Sequence, residues 1–275
     1  MNRLNNARRI QVVRCLVEGH SIRATVRMTD VSKNTIVKLL LELGDVCAAH
    51  QDKHLRNLPC KRIQCNEIWS FVGAKQKNVS GEQMEDTWGD IWTWTAIDAD
   101  TKLVPCWMVG QRDLRAEREF IGDLMPRLSN RVQLTTDGHK AYLQAVSDTV
   151  GRNIDLAQLI KVYGSAGNVV TRYSPGQCIG TECKNISGKP DPKHVSTSFV
   201  EPQNLNMRMS MRRFTWLTNA FSKKLEKHMA AISLHFMYYN FARIHQTLSM
   251  APAMAAGVTS KLWDVEDILA LLESN

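Results

Sequence analysis

Asp137 closes the short apolar run VQLTTD, Glu201 opens the stretch EPQNLNMRMSMRR, and Asn66 interrupts the strand-like QCNEIWSFVG. Three carboxylates converging at one sheet edge form an oxygen-rich site for hard divalent cations, Mg²⁺ above all. Two such ions about 3.5–4 Å apart clamp the attacking and leaving oxygens of an in-line phosphoryl transfer. With water as nucleophile the outcome is strand cleavage; with a DNA 3′-hydroxyl it is strand joining. In this chain the first of the three positions is an amide. Asn has nearly the shape of Asp, and its oxygen can touch a cation, but it brings no charge. Metal-ion catalysis supplies several kcal/mol, and each ~1.36 kcal/mol is tenfold in rate. Losing one anionic ligand therefore costs on the order of hundreds-fold. Glu67 is a poor substitute, because adjacent strand residues point to opposite faces, and Asp98 and Asp100 have the position of turn residues.

Such a trio needs elements that bring distant residues together. Ile63–Val72 has strand composition, rich in aromatic and β-branched residues. Thr87–Asp98 is a second strand and Leu103–Val109 a third, close enough to form a hairpin. Leu114–Leu128 is helical, Val132–Thr136 a short buried strand, Lys140–Val150 helical and Leu159–Tyr163 another apolar run. A long helix starts near Glu201 and runs, with room for a break, to about Ile244. Three meandering strands followed by helix, strand, helix, strand, helix is the order of an RNase H-like domain. There the first and fourth strands are neighbours through a right-handed crossover, so Asn66 and Asp137 would lie side by side. The late helix would bring Glu201 across the sheet. On it Glu201, Asn204, Arg208 and Arg212 fall on one face, with Arg213, Lys223, Lys224 and Lys227 further along, a surface suited to phosphates. Trp92 and Trp94 share a strand face and are assigned to the sheet core.

Residues 7–43 divide into three short helical pieces. Ser21 and Ser32 are placed to cap the second and third, and Gly44 is expected to stop the third. The third carries Ile36, Leu39, Leu40 and Leu43 at helical spacing. This is a helix-turn-helix arrangement. Lys33, Asn34, Thr35 and Lys38 then stand where a recognition helix meets base edges and phosphates. The polar, basic stretch 45–62 has the character of a connector. The expected organisation is a small all-α helix-turn-helix domain at 1–50, a linker at 51–62, and an α/β catalytic domain at 63–248. The latter has a mixed five-stranded sheet with flanking helices. A Gly-, Pro- and Ser-containing insertion or mobile loop occupies 164–199, and a helical tail 249–275.

The chain has 275 residues, 44% hydrophobic, and a formal net charge of +8. That length and composition support a real core, and the charge suits a polyanionic partner. No apolar run is long enough to span a membrane, and no secretory signal is expected. The seven cysteines, odd in number and scattered, fit reduced thiols in a cytoplasm. Cys60/Cys65 and Cys178/Cys183 are similarly spaced pairs, but neither has the close spacing usual for structural zinc.

The segments CNEIWSFVGAKQKN, WTWTAIDADTKLV, VQLTTDGHKAY, FVEPQNLNMRMSMRRFTWLTNAFSKK and YYNFARIHQTL together resemble IS1-family insertion-sequence transposases over nearly the whole chain. The resemblance implies a DDE transposase that binds transposon ends in double-stranded DNA. Such an enzyme cleaves strands and transfers them with two Mg²⁺ ions, or Mn²⁺ in their place. It would act as a homodimer or larger assembly in the bacterial cytoplasm or at the nucleoid. The family pattern puts its three acids at Asn66, Asp137 and Glu201. Arg243 and His245 resemble a C-terminal signature that supports the fold or the site. Two departures stand out. Asn66 replaces an Asp, and Pro202 follows the last acid, at a place in the first helical turn where Pro is tolerated. Impaired strand transfer with intact folding and DNA binding is the expectation. The alternative is a catalytically inactive, transposase-derived DNA-binding regulator.

Overall fold

The computed structural model describes residues 4–80, 88–151, 153–164, 178–215 and 219–273. Three helices come first: α1 (Asn6–Val17), α2 (Ile22–Thr29) and α3 (Lys33–His54). The side chains of Asn5, Ser21 and Ser32 cap them, accepting from the N–H groups of Arg8, Ala24 and Thr35. Each cap satisfies a backbone donor that the helix itself cannot.

Helix α3 corrects the expectation at Gly44, because it continues through that residue to His54 and absorbs most of the anticipated connector. The reason is tertiary. Helix α7 (Leu225–Met237) crosses α3 there, and a Cβ on Gly44 would stand 2.4 Å from the Ala230 Cβ. The glycine allows close approach of two helices; it is not a stop.

The sheet follows: β1 (Arg62–Val72), β2 (Gly89–Asp98), β3 (Cys106–Gly110), β4 (Gln133–Thr136), β5 (Asp155–Tyr163) and β6 (Cys178–Ser187), in the order β3-β2-β1-β4-β5-β6. Strands β1 and β4 are parallel neighbours, as are β4 and β5; the other pairings are antiparallel. The mixed sheet therefore has six strands among the described residues, where five were expected. The sixth lies inside the anticipated 164–199 insertion and pairs with β5, while 165–177 fall outside the described residues. Every side chain of β6 is exposed or half-buried, so it lacks the apolar pattern by which a strand is recognised in sequence.

Helices α4 (Leu114–Leu124) and α5 (Ala141–Thr149) cover one face of the sheet. Their Phe120, Ile121, Tyr142 and Val146 join Cys65, Trp94 and Leu134 in a core that runs on into α1 and α3 through Val12, Val13, Leu40 and Leu43. The opposite face carries a second core of Ile68, Ile97, Val200, Phe214 and Phe236 under α6 (Val200–Ser210) and α7. The long late helix is thus broken into α6, α7 and a π-helical turn at Tyr238–Ala242. Short helices α8 (Pro252–Ala255) and α9 (Val265–Ala270) finish the chain. Among the described residues no helix is long and apolar enough to cross a membrane.

Candidate active site

Parallel pairing of β1 with β4 runs from Arg62↔Gln133 to Cys65↔Thr136. The next residues on the two segments are Asn66 and Asp137, at the point where β4 ends and β1 continues paired only with β2. Ligand sites of α/β sheets favour such carboxyl ends of strands. Gln64, Asn66 and Ile68 share a face by strand alternation, and Ile68 packs with Val200 and Met207 of α6. Asn66 therefore lies on the α6 side. Asn66, Asp137 and Glu201 are all half-buried.

Helix α6 has no cap from its own sequence; its first residues are preceded by Phe199, which makes no side-chain cap bond. The cap comes from β1. Backbone N–H groups of Phe199 and Val200 donate to Gln64 Oε1 at 2.8 and 3.1 Å. Gln64 is almost fully buried, and it fixes the start of the Glu201 helix over the strand that carries Asn66. Pro202 sits in the first turn without breaking the helix. At the far end, Arg243 Nη1 donates to Asn206 Oδ1 at 2.9 Å. Nearby, Asn240 exchanges two bonds with the Val104 backbone, at 3.0 and 2.9 Å. The C-terminal motif thus braces α6 against the sheet. His245 lies outside this bracing, its backbone N–H donating to Met250 O at 3.0 Å.

Each of the three site side chains has a partner. Asn66 Oδ1 accepts the Glu67 N–H at 2.7 Å. Asp137 Oδ1 accepts the His139 N–H at 3.0 Å. Glu201 is held by the hydroxyl of Thr197 and by an ion pair with Lys161 of β5. That ion pair, with burial opposing it, raises the Lys161 pKa. Among the described residues no group of three or more His, Cys, Asp or Glu is placed to hold a metal ion. The donor set does not fit a two-ion site as it stands. One carboxylate is replaced by an amide whose oxygen is already engaged, and another is neutralised by a lysine. Cys60 and Cys65 are buried while Cys178 and Cys183 are exposed.

On the opposite face, where strand alternation was expected to put it, lies the buried acid Glu67, together with Glu117, which the sequence did not single out. Glu67 pairs with Arg112 at 2.6 Å, its own side chain only 4% exposed. Glu117, with no exposed side-chain surface, meets the His139 ring at 2.5 Å. Burial, partly offset by His139, lifts Glu117 to about 7, and the charges of Glu67 and Asp137 add to the rise. Burial and then the charge of Asp137 also raise Glu67, against the pull of Arg112. Gln158 completes the bracing, its Nε2 donating to the carbonyls of Asp137 and His139 at 3.0 and 3.1 Å.

The other singled-out residues are dispersed. Lys33, Asn34, Thr35 and Lys38 are exposed at the start of α3, and Lys38 pairs with Glu42 at 3.7 Å. Arg208 and Arg212 are exposed, Arg213 is half-buried, and Asn204 is buried on the sheet side of α6. Helix α6 ends at Ser210, so Arg212 belongs to a following 3₁₀ turn and Glu201, Asn204, Arg208 and Arg212 do not form the one continuous helical face expected.

No family model matches the chain, and no curated protein matches it. The chain is similar in structure to a piggyBac transposase synaptic complex with hairpin DNA, at 10% identity and a TM-score of 0.39, covering 99% of this chain and 71% of that one. It is also similar to the Mos1 strand transfer complex, at 10% identity and a TM-score of 0.24 over 86% of this chain and 77% of the other. A pre-cleavage Mos1 transpososome matches at 8% identity and 0.26, over 96% and 82%. Likenesses at these scores fix neither family nor function.

Proposed function

We propose that this chain is a DNA transposase of the DDE type, related to the IS1 family, with an RNase H-like catalytic domain and a helix-turn-helix reader. Its site is Asn66, Asp137 and Glu201, and Asn66 impairs its cleavage and strand-transfer chemistry. The observation that carries this reading is the β1–β4 register, which ends at Cys65↔Thr136 and leaves Asn66 and Asp137 next in line under the α6 that bears Glu201. The partners are double-stranded DNA and further copies of this chain, since two DNA ends must be joined. Lys33, Asn34, Thr35 and Lys38 on α3, with Arg208 on the site helix and Arg212 and Arg213 just after it, supply phosphate and base contacts. Asn66→Asp restores the third carboxylate.

The test uses a plasmid carrying the DNA that flanks this coding sequence, with Mg²⁺ or Mn²⁺. Asn66→Asp is expected to cleave and join ends on the order of a hundredfold faster than the unaltered chain. Equal, robust activity in both would refute the role given to Asn66.

A second reading is a DNA-binding regulator without catalysis. The bond from the Glu67 N–H to Asn66 Oδ1 and the Lys161–Glu201 ion pair favour it, because both use groups that a catalytic site would keep free. It predicts tight DNA binding and no cleavage even by Asn66→Asp.

A further inference from the structure

A cavity of about 690 Å³ lies between the N-terminal helices and the segment that follows α6. It draws together two groups of cations far apart in sequence. Arg23 and Lys33 come from one side, and Arg212, Arg213, Lys223 and Lys227 from the other. No Asp or Glu stands among its described lining residues. None of the six cations forms an ion pair with a carboxylate among the described residues.

Two lining residues are drawn away from water, Arg213 half-buried and His235 buried. Arg213 donates to Ser222 Oγ at 2.9 Å and to the Lys227 carbonyl at 2.7 Å, and burial brings its pKa down to about 10. A half-buried guanidinium whose hydrogen-bond partners are neutral favours an incoming anion. His235 is 6% exposed, and its Nε2 has no hydrogen-bond partner among the described residues. A buried polar atom without a partner is uncommon and asks for an explanation. Apolar Leu16, Ile22, Leu40, Phe221 and Leu234 also line it, beside polar His20, Ser21, Ser210 and Asn219.

Cations contributed from both sides, apolar side chains and one unsatisfied ring nitrogen describe a ligand with a phosphate, a flat apolar body and a polar edge. A duplex is too wide for this space, but one nucleotide taken out of the stack fits it. Extruding a paired base costs its stacking and pairing energy, and an unpaired one costs less. We propose that the cavity receives a single unpaired nucleotide of a DNA strand, its phosphate among the six cations and its base against the apolar side chains and His235. This rests on the DNA-binding reading above and adds a preference for strand ends that are not fully paired.

The experiment measures fluorescence anisotropy of the full chain with three labelled DNAs at fixed salt: a blunt duplex, the same duplex with a three-nucleotide unpaired tail, and one whose tail is abasic. The tailed duplex is expected to bind at least tenfold more tightly than the blunt one, and the abasic tail to lose most of that gain. The double variant Lys223→Ala, Lys227→Ala should bind tailed and blunt duplexes with equal affinity, whatever it loses in binding both, and a retained tenfold preference would overturn the inference. Circular dichroism checks that it is folded. Blunt and tailed duplexes bound equally would overturn this inference and leave the DNA-binding reading standing. So would an abasic tail as good as a natural one, since phosphates alone would then explain the gain. Binding of 5′-dAMP as tight as that of the tailed duplex would assign the cavity to a free nucleotide and overturn it too. Failure to bind any of the DNAs would sink both readings.

Discussion

Gln64 in β1 caps the helix that begins at Val200, 136 residues away in sequence, by accepting its N–H at 3.1 Å and that of Phe199 at 2.8 Å. A strand side chain thereby fixes where the Glu201 helix starts. Replacing Gln64 with Leu leaves two backbone donors without this acceptor, and an unsatisfied buried group costs about 1–3 kcal/mol. Urea unfolding of Gln64→Leu should show a loss of that order. Gln64→Glu, which keeps an acceptor near a helix N-terminus, should lose less. Equal stability of Gln64→Leu and the unaltered chain would show that α6 is held elsewhere.

Restoring the acid at Asn66 should make stability depend on divalent ions. In the proposed site Asn66→Asp adds a third carboxylate to those of Asp137 and Glu201, and clustered like charges repel when no cation is present. The variant should melt below the unaltered chain in EDTA. In 10 mM Mg²⁺ it should recover, because a ligand that binds only the folded state stabilises it by mass action. The unaltered chain should change little between the two conditions. Thermal melts with and without Mg²⁺ check this.

Gly44→Ala should destabilise, although Ala is the better helix former by about 1 kcal/mol. The added Cβ would stand 2.4 Å from the Ala230 Cβ and 2.5 Å from the Ala230 Cα, so α3 and α7 must separate. Overpacking of this kind costs roughly 1–3 kcal/mol, enough to outweigh the propensity gain. A rise in the unfolding midpoint would mean that the helices part freely.

Buried titratable groups should shape the pH profile in two opposed ways. Burial holds His228 and His235 down to about 3, from an ordinary 6.5, with a nearby arginine adding to the effect in each. Between those values the unfolded chain binds more protons, so the stability they contribute is complete above pH 6.5 and is lost as pH falls. Glu117 is raised to about 7 from 4.5, so the folded chain binds the extra proton and stability is lost as pH rises through that window. His235→Phe should therefore gain most over the unaltered chain at pH 4, and Glu117→Gln should gain most above pH 7. Unfolding midpoints measured from pH 4 to 8 test both, and differences that do not vary with pH would count against these shifts.

The local parts of the fold were legible because their causes are local. Ser21 and Ser32 cap the helices whose starts they mark, since a cap bond reaches only three residues. Strands β1, β2 and β4 stood out through apolar and β-branched content, and Trp94 proved fully buried in the sheet core. What was misread depended on distant neighbours. Gly44 has the sequence signature of a helix end, and only Ala230 on α7 makes it a crossing point. Strand β6 exposes most of its side chains, so its pairing with β5 leaves no hydrophobic period to read. Gln64 offered a faint signal, a polar residue two positions before Asn66 on the same strand face, but its role required knowing that α6 begins above it.

By itself the sequence determined the helix starts marked by Ser21 and Ser32 and the apolar strands β1, β2 and β4, because backbone propensity, capping and apolar period act over a few residues. Only the tertiary structure decided that Lys161 sits on Glu201, that the Glu67 N–H occupies the Asn66 oxygen, and that cations near residues 23–33 and 212–227 share one cavity. Those relationships join groups far apart along the chain, and their energies exist only once packing has brought the groups within a few ångströms.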